Sequence, residues 1–485
     1  MSKLLSLLLL IPFFAAAQTQ PAVMQDFKKG IKAISTSFKV NDETNIMQIN
    51  VDNKSFELLA IDKQMNTLWK TELPGYPQDA VKFQDKVFAL ATFKNPKAND
   101  AYNIYKGYLI DPATGKILLE KEIYEGSETY FDQCYLSYDK AHSLYRITAR
   151  QTKQERRSFV QSSKQNNLTT QITVIDINDR LEPVKRFNTK VEEGLFLWAM
   201  SNSKGDLFLA WGKGKSTVSI QKYDFGQTTG SKPIETDLDL RNNIDMADLK
   251  AHLSFNVSSS NSDAVFVSAL HENSNKDVQL SVIKMNFLNG AKQTVNELFN
   301  NDHIKALEKG YEPFDKKMDD PNLGSAKNLE IRYMAESGGK LVIGMSGRYT
   351  SPSSIGNGVW VNENSTLINC YNDDLKIIFQ QMLPSSYAIP SRSLPIGYHI
   401  ESNKLYIIAN NKSGFVKLNA LFGVLNLTSG KWERMEYLSK KKIDNSDYAE
   451  GYSALWFNNT CLIPYISPKG LMNNKYNISL QQNAL

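Results

Sequence analysis

One pattern recurs seven times along this 485-residue chain: a short polar turn is followed at once by an apolar run of strand length. Asn, Asp, Ser, Gly and Lys make up the turns. The apolar runs begin at Val87, Leu144, Leu207, Val265, Leu341, Leu405 and Cys461. Their mean spacing is about 62 residues, and self-similarity at a period of this order indicates a repeat architecture.

Each apolar run belongs to a four-strand unit. A strand-like segment precedes most of the turns, as at residues 195–201, and two more follow the run, as at residues 278–286 and 291–298. Inner strands that are buried on both faces read as continuous apolar runs. Four such strands, repeated around a ring, form a β-propeller. The sequence therefore predicts an all-β fold, a β-propeller of four-stranded antiparallel blades, because a β-sandwich does not repeat one unit at this period.

The seven apolar runs predict seven blades. The two ends of the chain would then share a composite blade, with a hairpin at residues 56–71 from one end and residues 451–465 from the other. An eight-blade alternative stays open. In it, residues 31–38 and 46–51 complete an independent first blade, and the tail to Leu480 completes an eighth.

The first seventeen residues have the pattern of a signal peptide. Lys3 precedes an apolar stretch at residues 4–14, and three Ala residues at positions 15–17 match the small-residue cleavage pattern. The stretch is too short to span a bilayer. We expect cleavage after Ala17 and export to the periplasm or out of the cell. The mature protein, residues 18–485, is then predicted to be a single propeller domain without a transmembrane segment.

Composition and charge exclude several classes of protein. Hydrophobic residues make up 41% of the chain, which is enough for a core and too much for a disordered protein. The 56 basic and 51 acidic residues are too evenly balanced for a nucleic-acid-binding surface. Cys134, Cys370 and Cys461 lie far apart in apolar contexts. We expect them to be small buried side chains, with one disulfide and a leftover thiol as the alternative.

Three turns resemble the repeat of quinoprotein-like, PQQ-type propellers, in which an apolar-Asp pair, a short turn often containing Thr-Gly-Lys and an apolar-Trp pair follow one another. They are Ala60-Ile61-Asp62 with Asn66-Thr67-Leu68-Trp69, Ile110-Asp111 with Thr114-Gly115-Lys116, and Leu425-Asn426 with Ser429-Gly430-Lys431-Trp432. The turn glycine supplies a positive φ, and Asp or Asn bonds the turn backbone. The resemblance implies the fold. It does not imply a function, because enzymes, assembly scaffolds and binding proteins share this repeat.

The extra sequence is predicted to lie on one face of the propeller. Connections between the second and third strands and between blades carry it, whereas the other connections are tight turns. The predicted insertions are residues 92–101, 150–167, 238–251, 300–326, 346–358 and 438–450. Long loops on a rigid scaffold usually carry binding, so we expect the partner on this face. Tolerated surface insertions are the alternative.

The longest insertion contains the signals of a short helix. Asp302 is placed to cap its N-terminus, Ile304, Leu307 and Tyr311 follow at helical spacing, and Gly310 is a stop signal. These residues predict an amphipathic helix that lies on the blade face.

Six side chains of this face are candidate binding residues: Arg156, Arg157, Tyr311, Phe314, Arg348 and Tyr349. The planar guanidinium of Arg suits a carboxylate, phosphate or sugar. An aromatic ring offers a stacking surface. Solvated side chains without a binding role are the alternative.

No motif for catalysis is present in the sequence. The five histidines show no metal-ligand spacing, and Asp319-Asp320 and Asp373-Asp374 lack the alternating ligands of a calcium loop. Walker A, nucleophile-elbow and dinucleotide motifs are missing as well. No catalytic residue is identified, and no metal or cofactor is expected.

These observations predict an exported, non-catalytic, monomeric propeller that binds a protein or glycan partner through the insertion-bearing face. One alternative is a propeller enzyme with its site at the central channel, either a quinoprotein-like oxidoreductase or a saccharide hydrolase or lyase. A third hypothesis is an envelope assembly scaffold. The lack of a Cys near the cleavage point, and so of a lipid anchor, disfavours it.

Overall fold

Antiparallel sheets follow one another along the chain as the blades of a β-propeller, which confirms the predicted fold. The computed structural model describes residues 24–485, with gaps at residues 53, 97–100, 127–129, 154–167, 243–245, 250–251, 316–317, 353–358, 391–394, 414–416, 439–446 and 469–474. The first strands of neighbouring blades contact one another around the ring. These first strands therefore line the central channel.

In blades 1 to 7 the four main strands are hydrogen-bonded in chain order. Blade 1 consists of β2 (Ala33–Lys39), β3 (Thr44–Asn50), β4 (Ser55–Asp62) and β5 (Thr67–Pro74). Blade 2 consists of β6 (Tyr76–Phe83), β7 (Lys86–Asn95), β8 (Ala101–Ile110) and β9 (Ile117–Glu125). Blade 3 consists of β10 (Tyr130–Asp139), β11 (Leu144–Lys153), β12 (Leu168–Ile177) and the first part of β13 (Pro183–Ser201). The second part of β13 is the first strand of blade 4, which continues with β14 (Leu207–Lys213), β15 (Thr217–Tyr223) and β16 (Ile234–Asp237).

Blades 5 to 7 follow the same order, and blade 8 also includes the N-terminal strand. Blade 5 consists of β17 (Leu253–Val257), β18 (Ala264–Glu272), β19 (Val278–Asn286) and β20 (Ala291–Phe299). Blade 6 consists of β21 (Leu329–Ser337), β22 (Lys340–Pro352), β23 (Val359–Tyr371), β24 (Ile377–Leu383) and the extra β25 (Tyr387–Pro390). Blade 7 consists of β26 (Gly397–Glu401), β27 (Lys404–Ser413), β28 (Lys417–Asn426) and β29 (Lys431–Tyr437). Blade 8 contains β30 (Tyr448–Ala449), β31 (Leu455–Trp456), β32 (Thr460–Pro468), β33 (Tyr476–Ala484) and the N-terminal β1 (Met24–Ile31).

The predicted number of seven blades is wrong, because the propeller has eight. The seven apolar runs are the second strands of blades 2 to 8. The second strand of blade 1, β3, contains the buried polar residues Thr44, Asn45 and Gln48 and so does not read as an apolar run.

The ring closes through strand β1. This strand pairs antiparallel with β33, so the N-terminal end of the chain forms the outer strand of the last blade. The hairpin at residues 56–71, which the seven-blade count assigned to the composite blade, belongs instead to blade 1, where β4 pairs with β3. The first blade is therefore complete by itself, as in the eight-blade alternative.

The hydrophobic core lies between the facing sides of neighbouring blades. Phe88 of blade 2 stacks on Tyr145 of blade 3, with 4.2 Å between the ring centroids. Partly buried charges also join blades, because Lys222 of blade 4 contacts Asp206 of its own blade at 3.0 Å and Asp263 of blade 5 at 2.6 Å. Apolar and charged contacts of this kind hold adjacent blades together.

The three cysteines are unpaired thiols, and Cys370 and Cys461 are fully buried, as expected for small core side chains. The described residues contain two α-helices, α1 (Met246–Leu249) and α2 (Asn301–Lys309). Within these residues, neither helix combines the length and the hydropathy of a membrane span.

Each blade has two ends, which we name by their connections. Because neighbouring strands run in opposite directions, the turns between first and second strands and between third and fourth strands lie together at the turn end. The remaining connections lie at the connection end. The ranges predicted to be insertions include the connections at this end, but several contain residues outside the described ranges, so the insertions themselves stay a prediction.

Candidate partner-binding platform

The connection from blade 5 to blade 6, residues 300–328, is here called the strap. It begins with helix α2 (Asn301–Lys309) and ends with a 3-10 turn at Ala326–Asn328. The side chain of Asn300 caps the helix by accepting a hydrogen bond from His303 N at 2.8 Å. The predicted cap, Asp302, lies in the first turn instead, because the extended residue at the boundary is Asn300. Gly310 follows the last turn, as predicted.

The strap reaches across to blade 7. The Tyr311 hydroxyl lies 3.8 Å from Met435 Sδ on β29. Asp319 Oδ2 accepts hydrogen bonds from Asn411 Nδ2 at 2.5 Å and from Tyr437 OH at 2.9 Å. One carboxylate on the strap is therefore held by two strands of blade 7.

The strap then returns along blade 6. Asn322 N donates to Ser365 Oγ at 2.8 Å, and Ser365 N donates to the Asn322 carbonyl at 2.9 Å. Leu323 N donates to Glu308 Oε1 at 2.7 Å, which ties the end of the strap to its own helix. Leu323 is fully buried. The strap is thus bonded at several points along its length.

The predicted insertion at residues 346–358 is described up to Pro352, and this part is strand. Strands β22 and β23 continue their pairing beyond the blade, from Arg348 with Glu363 to Pro352 with Val359. Strand β25 adds a third strand by pairing with β23. We call these extensions, residues 348–352, 359–363 and 387–390, the arm. The strap and the arm together form the platform at the connection end of blades 5 to 7.

A buried carboxylate supports the base of the arm. Glu363 is fully buried and accepts hydrogen bonds from Ser346 Oγ at 2.6 Å, Tyr387 OH at 2.6 Å and Arg332 Nε at 3.0 Å. Burial, followed by the Glu363 charge, raises the pKa of Tyr387 well above its ordinary value. Tyr387 therefore remains a protonated donor, and these bonds join β21, β22, β23 and β25.

The platform contains four of the six candidate binding residues. Tyr311 is half-buried against blade 7, and Arg348 Nη1 is paired with Glu330 Oε2 at 3.2 Å. Phe314 on the strap and Tyr349 on the arm are 43% and 45% exposed. These two rings are the predicted residues that remain available to a partner. Arg156 and Arg157 lie outside the described residues.

Sequence reasoning missed a second feature, a cavity at the turn end of the channel. His399 and Glu401 of blade 7 meet Trp456 of blade 8 and Lys39 of blade 1 there. The sequence carried no signal for this group, because its members come from three strands that are far apart along the chain. Only the closure of the ring brings them together.

No protein-family model and no curated protein matches the chain. Similar solved structures include the WD40 domain of SCAP from fission yeast, which is 8% identical, covers 95% of this chain and 96% of that one, and has a TM-score of 0.41. Sqt1 of Saccharomyces cerevisiae is 10% identical, with 95% and 98% coverage and a TM-score of 0.44. BamB from Moraxella catarrhalis is 12% identical, with 77% and 80% coverage and a TM-score of 0.34. Similarities of this size carry no argument about function, and the likeness to quinoprotein-like propellers stays a resemblance.

Proposed function

We propose that this protein is an exported, non-catalytic propeller that binds a protein partner through the platform. One observation carries the proposal: the longest connection of the chain is bonded to blades 6 and 7 and holds an exposed aromatic ring between these anchors. Phe314 lies between Tyr311 and Asp319, both of which contact blade 7. A surface that is ordered before binding loses less conformational entropy on association.

The chemistry of the platform favours a protein partner. Aromatic side chains are enriched in protein interfaces and supply much of their binding energy. Two ion pairs lie at the base of the arm, since Arg348 bonds Glu330 and Arg332 bonds Glu363. A partner at the arm would therefore not have to supply counter-charges for these two arginines. A glycan partner is an alternative outcome of the test below.

The test compares affinity capture from the native envelope and the secreted fraction with three forms of the protein. They are the unmodified chain, the double variant Phe314→Ser with Tyr349→Ser, and the control Leu288→Ser. Leu288 is 80% exposed in the third-to-fourth turn of blade 5, at the turn end. We expect the unmodified chain and the control to capture the same proteins and the double variant to lose them. Equal capture by all three forms would place the interface elsewhere, and capture of glycan alone would replace the protein partner.

Export rests on the signal-peptide pattern and is tested separately. The expected mature protein begins at Gln18, and mass spectrometry of the protein from the native host measures this directly. An N-terminus at Met1 in the host would contradict export by this route.

A further inference from the structure

The cavity at the turn end of the channel has a volume of about 200 Å³. It is lined by the first strands of blades 7, 8 and 1, so it lies at the seam where the ring closes. Its volume is below the roughly 300–1,000 Å³ that is usual for drug-sized ligands. The cavity therefore suits a ligand that consists of one compact ring.

Two hydrogen bonds fix the seam beside this cavity. Ser37 Oγ of blade 1 donates to the Ala454 carbonyl of blade 8 at 3.0 Å, and Asn45 Nδ2 donates to the Trp456 carbonyl at 3.1 Å. Asn45 is buried. Blade 1 thus positions the backbone that carries Trp456.

The first strand of blade 8 is interrupted next to the cavity. A 3-10 turn at Gly451–Ser453 separates β30 from β31, and Ala454 follows it directly. The buried Asn410 bonds both backbone groups of Ala449, at 2.9 Å and 2.8 Å. A side chain on Gly397 would overlap the Gly451 carbonyl, so the turn packs directly against blade 7. These contacts hold the interruption in one conformation, which leaves a rigid recess beside it.

Aromatic groups and one carboxylate form the walls. The His399 ring stacks on Trp456 with 4.5 Å between centroids and 12° between planes, and Phe38 lines the cavity beside them. Burial lowers the pKa of His399, which leaves the imidazole uncharged near neutral pH. Glu401 Oε2 lies 3.9 Å from His399 Nε2. The Glu401 side chain is 39% exposed and can accept hydrogen bonds from a ligand.

Charges of both signs lie in the wall, which limits the ligand class. Lys39 Nζ contacts Asp42 Oδ1 at 2.9 Å and Asn458 Oδ1 at 2.6 Å. Its charge still acts in the cavity, because it adds to burial in lowering the pKa of His399. An anion would therefore be repelled by Glu401, and an organic cation would be repelled by Lys39. An uncharged ring with C–H groups on its faces and hydroxyl groups on its edge suits the aromatic walls and the acceptor together.

We propose that this cavity binds a single pyranose residue, with its ring against the aromatic wall and its hydroxyl groups directed to Glu401. The site is independent of the platform, because it lies at the opposite end of the blades. A failure of one proposal leaves the other unaffected.

The test measures binding of methyl glycosides of glucose, galactose, mannose and N-acetylglucosamine to the mature protein by saturation-transfer NMR and calorimetry. We expect at least one glycoside to bind with a dissociation constant of about 1 mM, as suits a small ligand with few contacts. Glu401→Gln should weaken this binding about tenfold, which corresponds to about 1.4 kcal/mol. The matched control is Glu433→Gln, which changes a carboxylate of similar exposure, 37%, outside the cavity.

Thermal unfolding of both variants shows whether they keep the native fold. If no methyl glycoside binds the unmodified protein, or if both variants bind equally well, the proposed sugar site is wrong. Methyl phosphate and tetramethylammonium serve as charged probes. Saturable binding of either one in place of the glycosides would overturn the proposed ligand class.

Discussion

The indole ring of Trp69 in blade 1 covers Gly115 in the turn between the third and fourth strands of blade 2. A Cβ atom at position 115 would lie 2.6 Å from Trp69 Cε3, and Gly115 has a φ of +72°. Trp69 Nε1 donates to the Pro112 carbonyl at 2.7 Å, and Thr71 Oγ1 donates to the Gly115 carbonyl. The glycine thus allows an aromatic ring and a hydrogen bond to join the two blades.

The same arrangement recurs between blades 6 and 7. Phe379 lies against Gly430, where a Cβ atom would be 2.7 Å from the ring, and Gln381 Nε2 donates to the Gly430 carbonyl at 2.8 Å. Trp69 and Phe379 also occupy equivalent positions, each following a register shift in the fourth strand. Two of the turns that resemble the quinoprotein-like repeat therefore serve as docking points for the preceding blade.

Gly115→Ala should destabilise the protein far more than Gly290→Ala. Both glycines have a positive φ, but nothing lies within 4 Å of a Cβ atom at Gly290. The backbone cost of about 1–2 kcal/mol is common to both variants. Overpacking against Trp69 should add about 1–3 kcal/mol at Gly115 alone. Denaturant unfolding measures both, and equal losses would show that the Trp69 contact does not hold the blades together.

Glu363→Ala should lower the free energy of unfolding by about 3–5 kcal/mol, because it removes the acceptor of the buried Tyr387 hydroxyl and the closer of the two carboxylate partners of Arg332. The comparison is Glu433→Ala, which removes an exposed partner of Lys404 at 2.8 Å. We expect at most about 1 kcal/mol there. Denaturant unfolding of both variants checks the difference. A loss as small at Glu363 as at Glu433 would contradict a supporting role for the buried cluster.

Asp319→Ala should loosen the strap without unfolding the propeller. The change removes the acceptor of Asn411 and Tyr437, which together hold the middle of the strap on blade 7. Hydrogen exchange should show about tenfold faster exchange of strap amides, or about 1.4 kcal/mol of lost local stability. Asp320→Ala is the control, since it removes a neighbouring exposed carboxylate of the same size and charge. Unchanged exchange in the Asp319 variant would mean that other contacts suffice to order the strap.

Acidification should destabilise the protein partly through His271. Burial lowers the pKa of this imidazole from its ordinary value of 6.5, and its Nε2 lies 3.2 Å from Ser281 Oγ. Below pH 6.5 the unfolded chain therefore binds a proton that the folded state resists, so stability falls as the pH decreases. His271→Gln should reduce the difference between urea midpoints at neutral and mildly acidic pH. An identical pH dependence in this variant would assign the effect to other groups.

The strands could be predicted from the sequence because each strand depends on the order of apolar and polar residues within a short segment. The segment predicted at residues 278–286 coincides with β19, and the segment predicted at residues 291–298 differs from β20 by one residue. Polar turns and apolar runs encode such strands within a few residues. The helix of the strap was also predicted, while its cap lies two residues earlier than expected, since Asn300 and Asp302 are both suitable capping residues.

The candidate site was predictable only in part. Phe314 and Tyr349 were identified because aromatic residues in predicted insertions are typical of binding surfaces. The bond of Asp319 with Tyr437, which holds the strap beside Phe314, joins residues 118 positions apart. No local pattern indicates such a pair.

The sequence by itself determined the four-strand repeat, its turns and the face on which the extra segments were expected, since these follow from the order of apolar and polar residues. The tertiary structure alone decided the number of blades and the location of the cavity. Asn45 shows the physical reason: a polar residue inside a strand is stable there because it bonds Trp456, 411 positions away. Pairings of this kind come into existence only when the ring closes.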